Sequence, residues 1–499
     1  MIVVGAGNAA LSAAVSAHEN GARRVLVLEK APRAMRGGNT HWAGAVLRLA
    51  FDDAHELAPL LPGVEQQYAS FYEGITPYTR RHYMDDLLRV TNGRTDPQLS
   101  RILVDNSKAT VFWMHDVGGV KMEPAITVAG VKRGNLVVWP RGLVVRAAHE
   151  GVGLSRSWFA TAGKRGIEVR YSSAASELVL DARGRVAGVK VRDEDGLKVV
   201  PGRAVVLGCG GFEANVQMRT QHIGPLVGGA KVRGTPFNQG DGLRMALAIG
   251  AMPWGQWSGC HATPISADWG DFAPREYTDR SNRLSYHYGV MINRRGRRFV
   301  DEGEDENLYT YAKFGRAILA EPGSRGYQVF DSKVLHLLEP RYATSKPIVA
   351  ASLQELLAQL DIEDKEQALR TIVEFNAAPR AVQAFDPTKK DGHATKGLQP
   401  EKSNWALRID TPPYVAYSVT GGITFTFGGL RIDDDAQVIG TDWRPLPGLF
   451  ACGEMVGGLF YDNYPAGTGL VSGATFGRIA GRAAAKLELN PRAMAGAAV

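Results

Sequence analysis

Cysteine is scarce: only Cys209, Cys260 and Cys452 occur in 499 residues, with no CxxC, no haem-attachment CxxCH and no iron–sulfur spacing. A disulfide framework, an attached haem and a cluster are excluded as organising features, and the chain is expected to be disulfide-free and cytoplasmic. No run of 18 apolar residues and no signal peptide is present, so no membrane span is expected. No dense basic tract suggests nucleic acid. Lys plus Arg exceeds Asp plus Glu by only 58 to 51, which suits an anionic small molecule or a solvated surface and argues against nucleic acid as a partner.

What is abundant is glycine, 58 residues, in an otherwise ordinary globular composition of 44% hydrophobic and 22% charged residues. The length calls for two domains. The first thirty residues are the most informative. Ile2-Val3-Val4 is an apolar strand running into Gly5-Ala6-Gly7-Asn8-Ala9-Ala10, and small residues at helical spacing (Ala10, Ala13, Ala14, Ala17) lead to a stop at Gly21. A second strand, Val25-Leu26-Val27-Leu28, ends in Glu29 followed by Lys30. Gly5 permits the tight turn, Gly7 leaves room for a pyrophosphate, Ala10 takes the place of a third glycine, and the helix N-terminus offers N–H groups to phosphate. An acid at Glu29 fits the ribose of FAD or NAD and argues against a 2′-phosphate. The chain starts abruptly inside its first strand, which implies a misassigned start or an unusually short strand.

Arg36-Gly37-Gly38-Asn39-Thr40-His41-Trp42-Ala43-Gly44 reads as a second loop lying close against something flat or phosphorylated. Residues 64 to 165 read as helices and loops, with amphipathic stretches from Asp96 to Gly118 and Gly142 to Arg165. Trp113, Trp139 and Trp158 read as core, and Arg141-Gly142 after Trp139-Pro140 as a substrate-side loop. Strands return at Ile167 to Tyr171, Ser176 to Asp181 and Val186 to Arg192. Beyond Trp257 the glycine motifs thin out and charged helices and loops take over, including Ser352 to Ala378, up to about Gly422.

GGNT at Gly37 to Thr40 resembles the flavin-contacting segment of the fumarate reductase and 3-ketosteroid dehydrogenase superfamily of FAD enzymes. The strand ending Gly208-Cys209-Gly210-Gly211, the Gly240-Asp241-Gly242 helix start, NxxGxRFxxE at Asn293 to Glu302 and PGLFACGE at Pro447 to Glu454 resemble further motifs of that superfamily. Within it, GNAAL near the start, DEGED with YAxxGR at Asp301 to Arg316, and IDTPPYxAY with GITFTF at Ile409 to Phe427 resemble tricarballylate dehydrogenase-like proteins. The resemblance implies an α/β fold, a Rossmann-type FAD-binding domain of the two-dinucleotide-binding flavoprotein type, with an inserted α+β capping domain. Residues 1–256 and 423–499 would form the FAD domain and 257–422 the cap. The strands after Ile167 would form the three-stranded crossover on the adenine side. Gly5, Gly7, Asn8, Ala9, Glu29, Lys30, Gly37, Gly38, Asn39, Thr40, Gly210, Gly211, Asp241, Gly453, Glu454, Gly469 and Leu470 would hold FAD, with Glu454 on the ribityl chain and the start of a final helix, Gly467 to Lys486, at the flavin. Relatives that attach FAD covalently use a His, but the register places Thr40 there and His41 beside it, so non-covalent FAD is implied.

The same resemblance leaves catalysis open. The register of the fumarate reductase proton-donor Arg holds Glu306, with Tyr309 and Tyr311 just beyond, and a second anchoring Arg is replaced in the loop Asn463 to Gly467. His261, in Cys260-His261-Ala262-Thr263-Pro264, resembles the HPT segment, whereas a second family His near Thr424-Phe425 is missing. Tyr464-Pro465 resembles the YPGxG loop of 3-ketosteroid Δ1-dehydrogenases, in which a Tyr abstracts a proton. A phenol with an unperturbed pKa near ~10 needs a cation, a hydrogen bond or a helix dipole to serve as base. The expected activity is FAD-dependent α,β-dehydrogenation, or the reverse alkene reduction, next to a carbonyl or carboxylate. Gly467, Thr468 and Arg316 are expected at the substrate, the first two through N–H groups near Gly469. A polycarboxylate dehydrogenase or fumarate-reductase-like enzyme, with Arg275, Arg280, Arg283 or Arg316 replacing the missing clamps, competes with a ketone desaturase; a non-catalytic FAD-binding subunit is the remote alternative. The electron acceptor would be external: quinone, an iron–sulfur protein or oxygen.

Overall fold

The computed structural model describes residues 1–126, 129–133, 136–139 and 142–489; Pro140 and Arg141, and with them the start of the expected substrate-side loop, lie outside the described residues. A six-stranded sheet runs in the order Gln437–Ile439, Pro445–Ala451, Val205–Leu207, Ile2–Val4, Leu26–Leu28, Glu168–Arg170. Every pairing is parallel except the first. The inner strands VVL, IVV and LVL are continuous apolar runs because both faces are covered. Short strands suffice: three residues each carry the register Val3↔Val206 and Val3↔Val27.

One cover is the helix Asn8–Glu19, packed against the long C-terminal helix Thr468–Leu489. Gly473, Gly477 and Gly481 form a stripe at four-residue spacing. A Cβ on Gly477 would stand 2.4 Å from the Ala9 carbonyl oxygen and one on Gly481 2.2 Å from that of Ala13, so backbone meets backbone. The expected tight helix–strand approach also exists, with the missing side chain on the strand's side: a Cβ on Gly208 would lie 3.0 Å from Ala10 Cα. Trp158, fully buried, donates its indole N–H to Asn8 Oδ1 at 2.9 Å, and Trp113 and Trp139 are buried too.

The crossover is an antiparallel sheet of Gly196–Pro201, Val186–Asp193 and Ala174–Leu180. The second large sheet is organised on Tyr414–Thr426, flanked by Lys231–Val232 and Gly326–Phe330, with Val290–Asn293 beyond and Cys260–Ser266 and Ile348–Ala350 also pairing to it. Its central strand runs across position 422, and Lys231–Val232 joins it from ahead of position 257. The helices Leu353–Ala358 and Lys365–Ala377 cover its outer face over Val290, Ile292 and Tyr327. The NxxGxRFxxE segment is explained by its bonds. Asn293 Oδ1 accepts from the backbone N–H of Arg295 and of Arg297, both at 3.0 Å, and Gly296 turns at φ +73°. Arg298 then pairs with buried Glu302 at 2.5 Å, whose other oxygen accepts from Met291 N–H at 2.7 Å. Among the described residues no helix is long and apolar enough to cross a membrane, and all three cysteines are free thiols.

Candidate functional site

One cleft, enclosing about 1930 Å³ with its open mouth, runs from Glu29 at the carboxyl end of the parallel sheet to His261 and Tyr464 beneath the second sheet. Such crevices at strand carboxyl ends are where dinucleotides bind in open α/β sheets. Gly5 turns at φ +99°, where a Cβ would stand 2.6 Å from the Gly208 carbonyl oxygen. Gly7 caps the first helix with no side-chain bond, and a Cβ there would meet only Thr40 Oγ1 at 3.4 Å and Gly37 O at 3.8 Å, so the rest of its surroundings is cleft. A Cβ on Gly38 would find nothing closer than Gly7 Cα at 4.0 Å. Thr40 Oγ1 accepts from Asn8 N–H at 2.9 Å, joining the second glycine loop to the first. Glu29 is buried; burial pushes its carboxyl pKa up, and its Oε1 accepts from Ala31 N–H at 2.7 Å. Lys30 pairs with Asp241 at 2.6 Å across the cleft wall. Further along, Glu454 Oε1 accepts from Thr426 N–H at 2.7 Å. Asn39 donates to the Thr424 carbonyl at 2.7 Å and to Glu213 at 2.5 Å. An open cradle at two glycines, a helix N-terminus and a buried acid at the end of the second strand fit the phosphates and ribose of FAD.

The far end is aromatic. His261 lies on Cys260–Ser266, where a bulge after it shifts the register against Phe425 and Ile423 and sets the direction of the ring. Its ring centroid is 4.7 Å from Tyr311, 5.0 Å from Phe425 and 5.2 Å from Tyr464. His261 is 1% exposed, and its Nδ1 has no partner among the described residues. Burial, helped by the nearby Arg233 charge, holds the imidazole well below its ordinary pKa, so it is neutral at physiological pH. Tyr464 Oη accepts the backbone N–H of Gly469 at 2.8 Å, in the first turn of the helix Thr468–Leu489. Burial nevertheless wins: it raises the phenol pKa above its ordinary value near 10 despite that bond and the charges of Arg48 and Arg233.

The FAD binding domain family matches residues 1–470. The chain belongs to that family. Curated relatives are similar to it along nearly its whole length. A cytochrome-linked fumarate reductase of Shewanella frigidimarina is 28% identical over 97% of this chain and 77% of its own length. The 4-oxocyclohexanecarboxylate 2-dehydrogenase of Sinomonas cyclohexanicum is 27% identical over 97% and 92%. Among solved structures, the 3-ketosteroid Δ1-dehydrogenase of Sterolibacterium denitrificans shares the fold with a TM-score of 0.72 at 20% identity, covering 97% of this chain and 99% of that one. The protein is a flavoprotein oxidoreductase with FAD as its cofactor.

Of the residues expected at FAD, Gly5, Gly7, Asn8, Ala9, Glu29, Lys30, Gly38, Asn39, Thr40, Gly210, Asp241, Gly453, Glu454, Gly469 and Leu470 line the cleft. Gly37 and Gly211 stand behind it: a Cβ on Gly37 would strike Ser155 Oγ at 2.6 Å, and one on Gly211 would strike Glu454 Oε1 at 2.2 Å. Of the catalytic candidates, Tyr464, His261 and Tyr311 line the cleft, and Glu306 and Tyr309 do not. Tyr309 is bound into a buried network, donating to Asp86 at 2.7 Å and accepting from Arg48 at 3.1 Å. Glu306 caps the helix Asn307–Leu319, and burial, with Asp305 nearby, raises its pKa.

The substrate expectations need correction. Gly467 lines the cleft, but Thr468 is buried behind it, its hydroxyl accepting from Tyr83 at 3.3 Å. The Thr468 and Gly469 N–H groups are already given to Pro465 O and Tyr464 Oη. Arg316 is not among the residues that line the cleft; its charge is felt by buried Cys260. Arg275 binds the Arg36 carbonyl at 2.8 Å, Arg280 lies exposed over Tyr277, and Arg283 is spent on backbone carbonyls such as Asn282 O at 2.6 Å. The arginines that do reach the cleft, Arg233 and Arg341, share Asp279. Only the folded chain brings 233, 279 and 341 together, so no local motif marked them.

Two expected results concern FAD itself. Glu29→Ala should weaken FAD binding by roughly 1.5 to 3 kcal/mol, the worth of a hydrogen bond to a charged group. Titrating the apoprotein with FAD measures it, and an unchanged dissociation constant would mean that Glu29 does not touch the ribose. Acid precipitation should leave the yellow colour in the supernatant. Thr40 fronts the cleft, whereas His41 turns its Nε2 to the Arg275 carbonyl at 3.3 Å, with its pKa lowered to about 4 by burial and Arg275. Flavin retained on the denatured chain would contradict non-covalent binding.

Proposed function

We propose that this flavoprotein interconverts a saturated carbon–carbon bond and an alkene next to a carbonyl or carboxylate, with Tyr464 handling the α-proton. The observation that carries this reading is the Tyr464 phenol: it faces the cleft and is fixed by the Gly469 N–H at 2.8 Å, edge-on to His261. The two-electron exchange at the carbon–carbon bond would be supplied by FAD when bound, as acceptor of the β-hydride in the oxidative direction. Neutral His261 orients substrate through its ring nitrogens, while Phe425, Phe460 and Tyr311 exclude water from the reacting carbons. The loop carrying Tyr464 is held rigidly: Ala466 N–H donates to Leu308 O at 3.1 Å, Asn463 Nδ2 to Tyr309 O at 2.6 Å, and Arg48 Nε to Ala466 O at 2.7 Å.

A polycarboxylate substrate, the second reading, draws support from Arg233 and Arg341 in the same cleft. A ketone desaturase draws support from Tyr464 and from the loss of both family arginines. Electrons would leave to an external acceptor (quinone, an iron–sulfur protein or oxygen), and the three free thiols suit a cytoplasmic setting. Anaerobic mixing with saturated ketones, saturated mono- and dicarboxylates and keto acids tests the reaction. Bleaching of the oxidised flavin, with an α,β-unsaturated product, is expected from at least one class.

A further inference from the structure

We propose that Arg233 anchors a carboxylate group of the substrate, so that the substrate is an organic acid whatever its reacting carbonyl. This rests on the reading above of the aromatic end of the cleft as the substrate site. Arg233 follows the short strand Lys231–Val232 and is fixed by its own N–H on Ile423 O at 2.8 Å. Its side chain is buried, 6% exposed. Nε donates to Thr424 Oγ1 at 3.1 Å and Nη1 to the Trp42 carbonyl at 2.7 Å, which orients the guanidinium plane. Nη2 has no hydrogen bond to any described residue, and the side chain lines the cleft.

The charge balance leaves Arg233 the less neutralised of the two cleft arginines. Asp279 is the carboxylate both share, and it gives Oδ2 to Arg341 in the closer contact. Its Oδ1 stands 3.3 Å from Arg233 and also accepts Asn282 Nδ2 at 2.8 Å. Arg341 has a second carboxylate, Glu339, at 2.9 Å. Arg233 therefore has half of one carboxylate oxygen, at a distance beyond the ~2.7 to 2.9 Å of a strong charge-assisted bond. A buried cation so placed calls for an anion. The neighbours that feel its charge are His261, Tyr311 and Tyr464, which belong to the reactive end of the cleft and not to the Glu29 end. Beside it the Oδ1 of Asn282, also in the cleft wall, is a buried acceptor with no partner among the described residues, which suits a substrate hydroxyl or a bridging water.

The test is a binding titration on the FAD-loaded protein, read as the shift of the oxidised-flavin spectrum. The probes are acetate, succinate, cyclohexanecarboxylate and 4-oxocyclohexanecarboxylate, each paired with its neutral amide. At least one acid should bind about tenfold or more tightly than its own amide, the scale of one good ionic contact. Arg233→Gln should bring acid and amide to similar affinity. Arg233→Lys, which keeps the charge and loses the fork, should weaken the acid about tenfold and leave the amide unchanged. FAD affinity should stay at the wild-type value in both. Acids that bind no better than amides, or an acid preference that survives Arg233→Gln, would overturn the proposal. So would loss of FAD in a folded Arg233→Gln variant, which would assign the residue to the cofactor. If Arg233→Gln does not fold, the wild-type comparison and Arg233→Lys still decide. Because the titration reads binding, acids that bind without bleaching the flavin uphold the anchor and remove the dehydrogenase reading. Ketones that bleach it, with no preference for acids, do the reverse.

Discussion

Tyr464→Phe should slow substrate-driven flavin reduction by about 10²- to 10⁴-fold, the range for loss of a positioned acid or base. The substitution keeps the ring that packs edge-on to His261, Phe425 and Phe460, so folding and FAD content should survive. It removes the oxygen that accepts the Gly469 N–H, returning that donor to the cleft. The pH dependence follows from the raised phenol pKa. At neutral pH the phenol is protonated, so dehydrogenation, which needs it as base, should speed up as pH rises toward the phenol pKa. Alkene reduction, which needs it as acid, should stay flat over the same range. His261, buried and neutral, should add no inflection near its ordinary value. Stopped-flow reduction with saturating substrate, wild type against variant across pH, measures both. An unchanged rate in Tyr464→Phe would return the proton to Tyr311, the other cleft-lining phenol.

Arg48→Met should destabilise the protein by about 3 to 5 kcal/mol, the cost of removing one partner of a buried charge cluster. Arg48 is fully buried and ties four elements together. It donates to Tyr78 at 2.9 Å, Tyr309 at 3.1 Å and the Ala466 carbonyl at 2.7 Å, and it stands 3.4 Å from Asp86. Its own N–H holds Gly467 O at 3.0 Å. Methionine fills much of the volume but leaves Asp86 beside two phenols with Arg89, at 3.1 Å, as its remaining counterion among the described residues. The loop carrying Tyr464 loses its clamp at the same time, so flavin reduction should slow with the loss of stability. Urea unfolding followed by release of FAD fluorescence gives the stability change, and a shift below about 1 kcal/mol would show that the cluster is not held by Arg48.

The nucleotide end was legible in the sequence because its chemistry is local. A glycine turn, a helix N-terminus and an acid at the next strand end are consecutive in Gly5 to Glu29, and close backbone approach demands glycine itself. The aromatic end was partly legible: His261 and Tyr464 lie in short segments of recognisable spacing. The ionic part was not. Arg275, Arg280, Arg283 and Arg316 look available on paper, yet Arg275 and Arg280 lie on one short helical turn and donate to backbone carbonyls, Arg283 is absorbed by backbone oxygens, and Arg316 does not line the cleft. Arg233, Asp279 and Arg341 belong to three separate segments, and only tertiary packing makes them one group. Glu306, in the register that resembles the proton donor's, and Tyr309 just beyond it do not line the cleft; Tyr309 is turned to Asp86 and Arg48 instead, because helical position fixes direction as well as spacing.

The most direct test of the central claim is anaerobic reduction of the bound flavin by saturated ketones, carboxylates and keto acids, with the product identified. The account predicts that at least one of them bleaches the flavin and yields the α,β-unsaturated compound, and that Tyr464→Phe removes nearly all of that rate. A flavin that dithionite reduces but that none of these compounds bleaches, or a product altered anywhere but at the carbon–carbon bond beside the carbonyl, would contradict it.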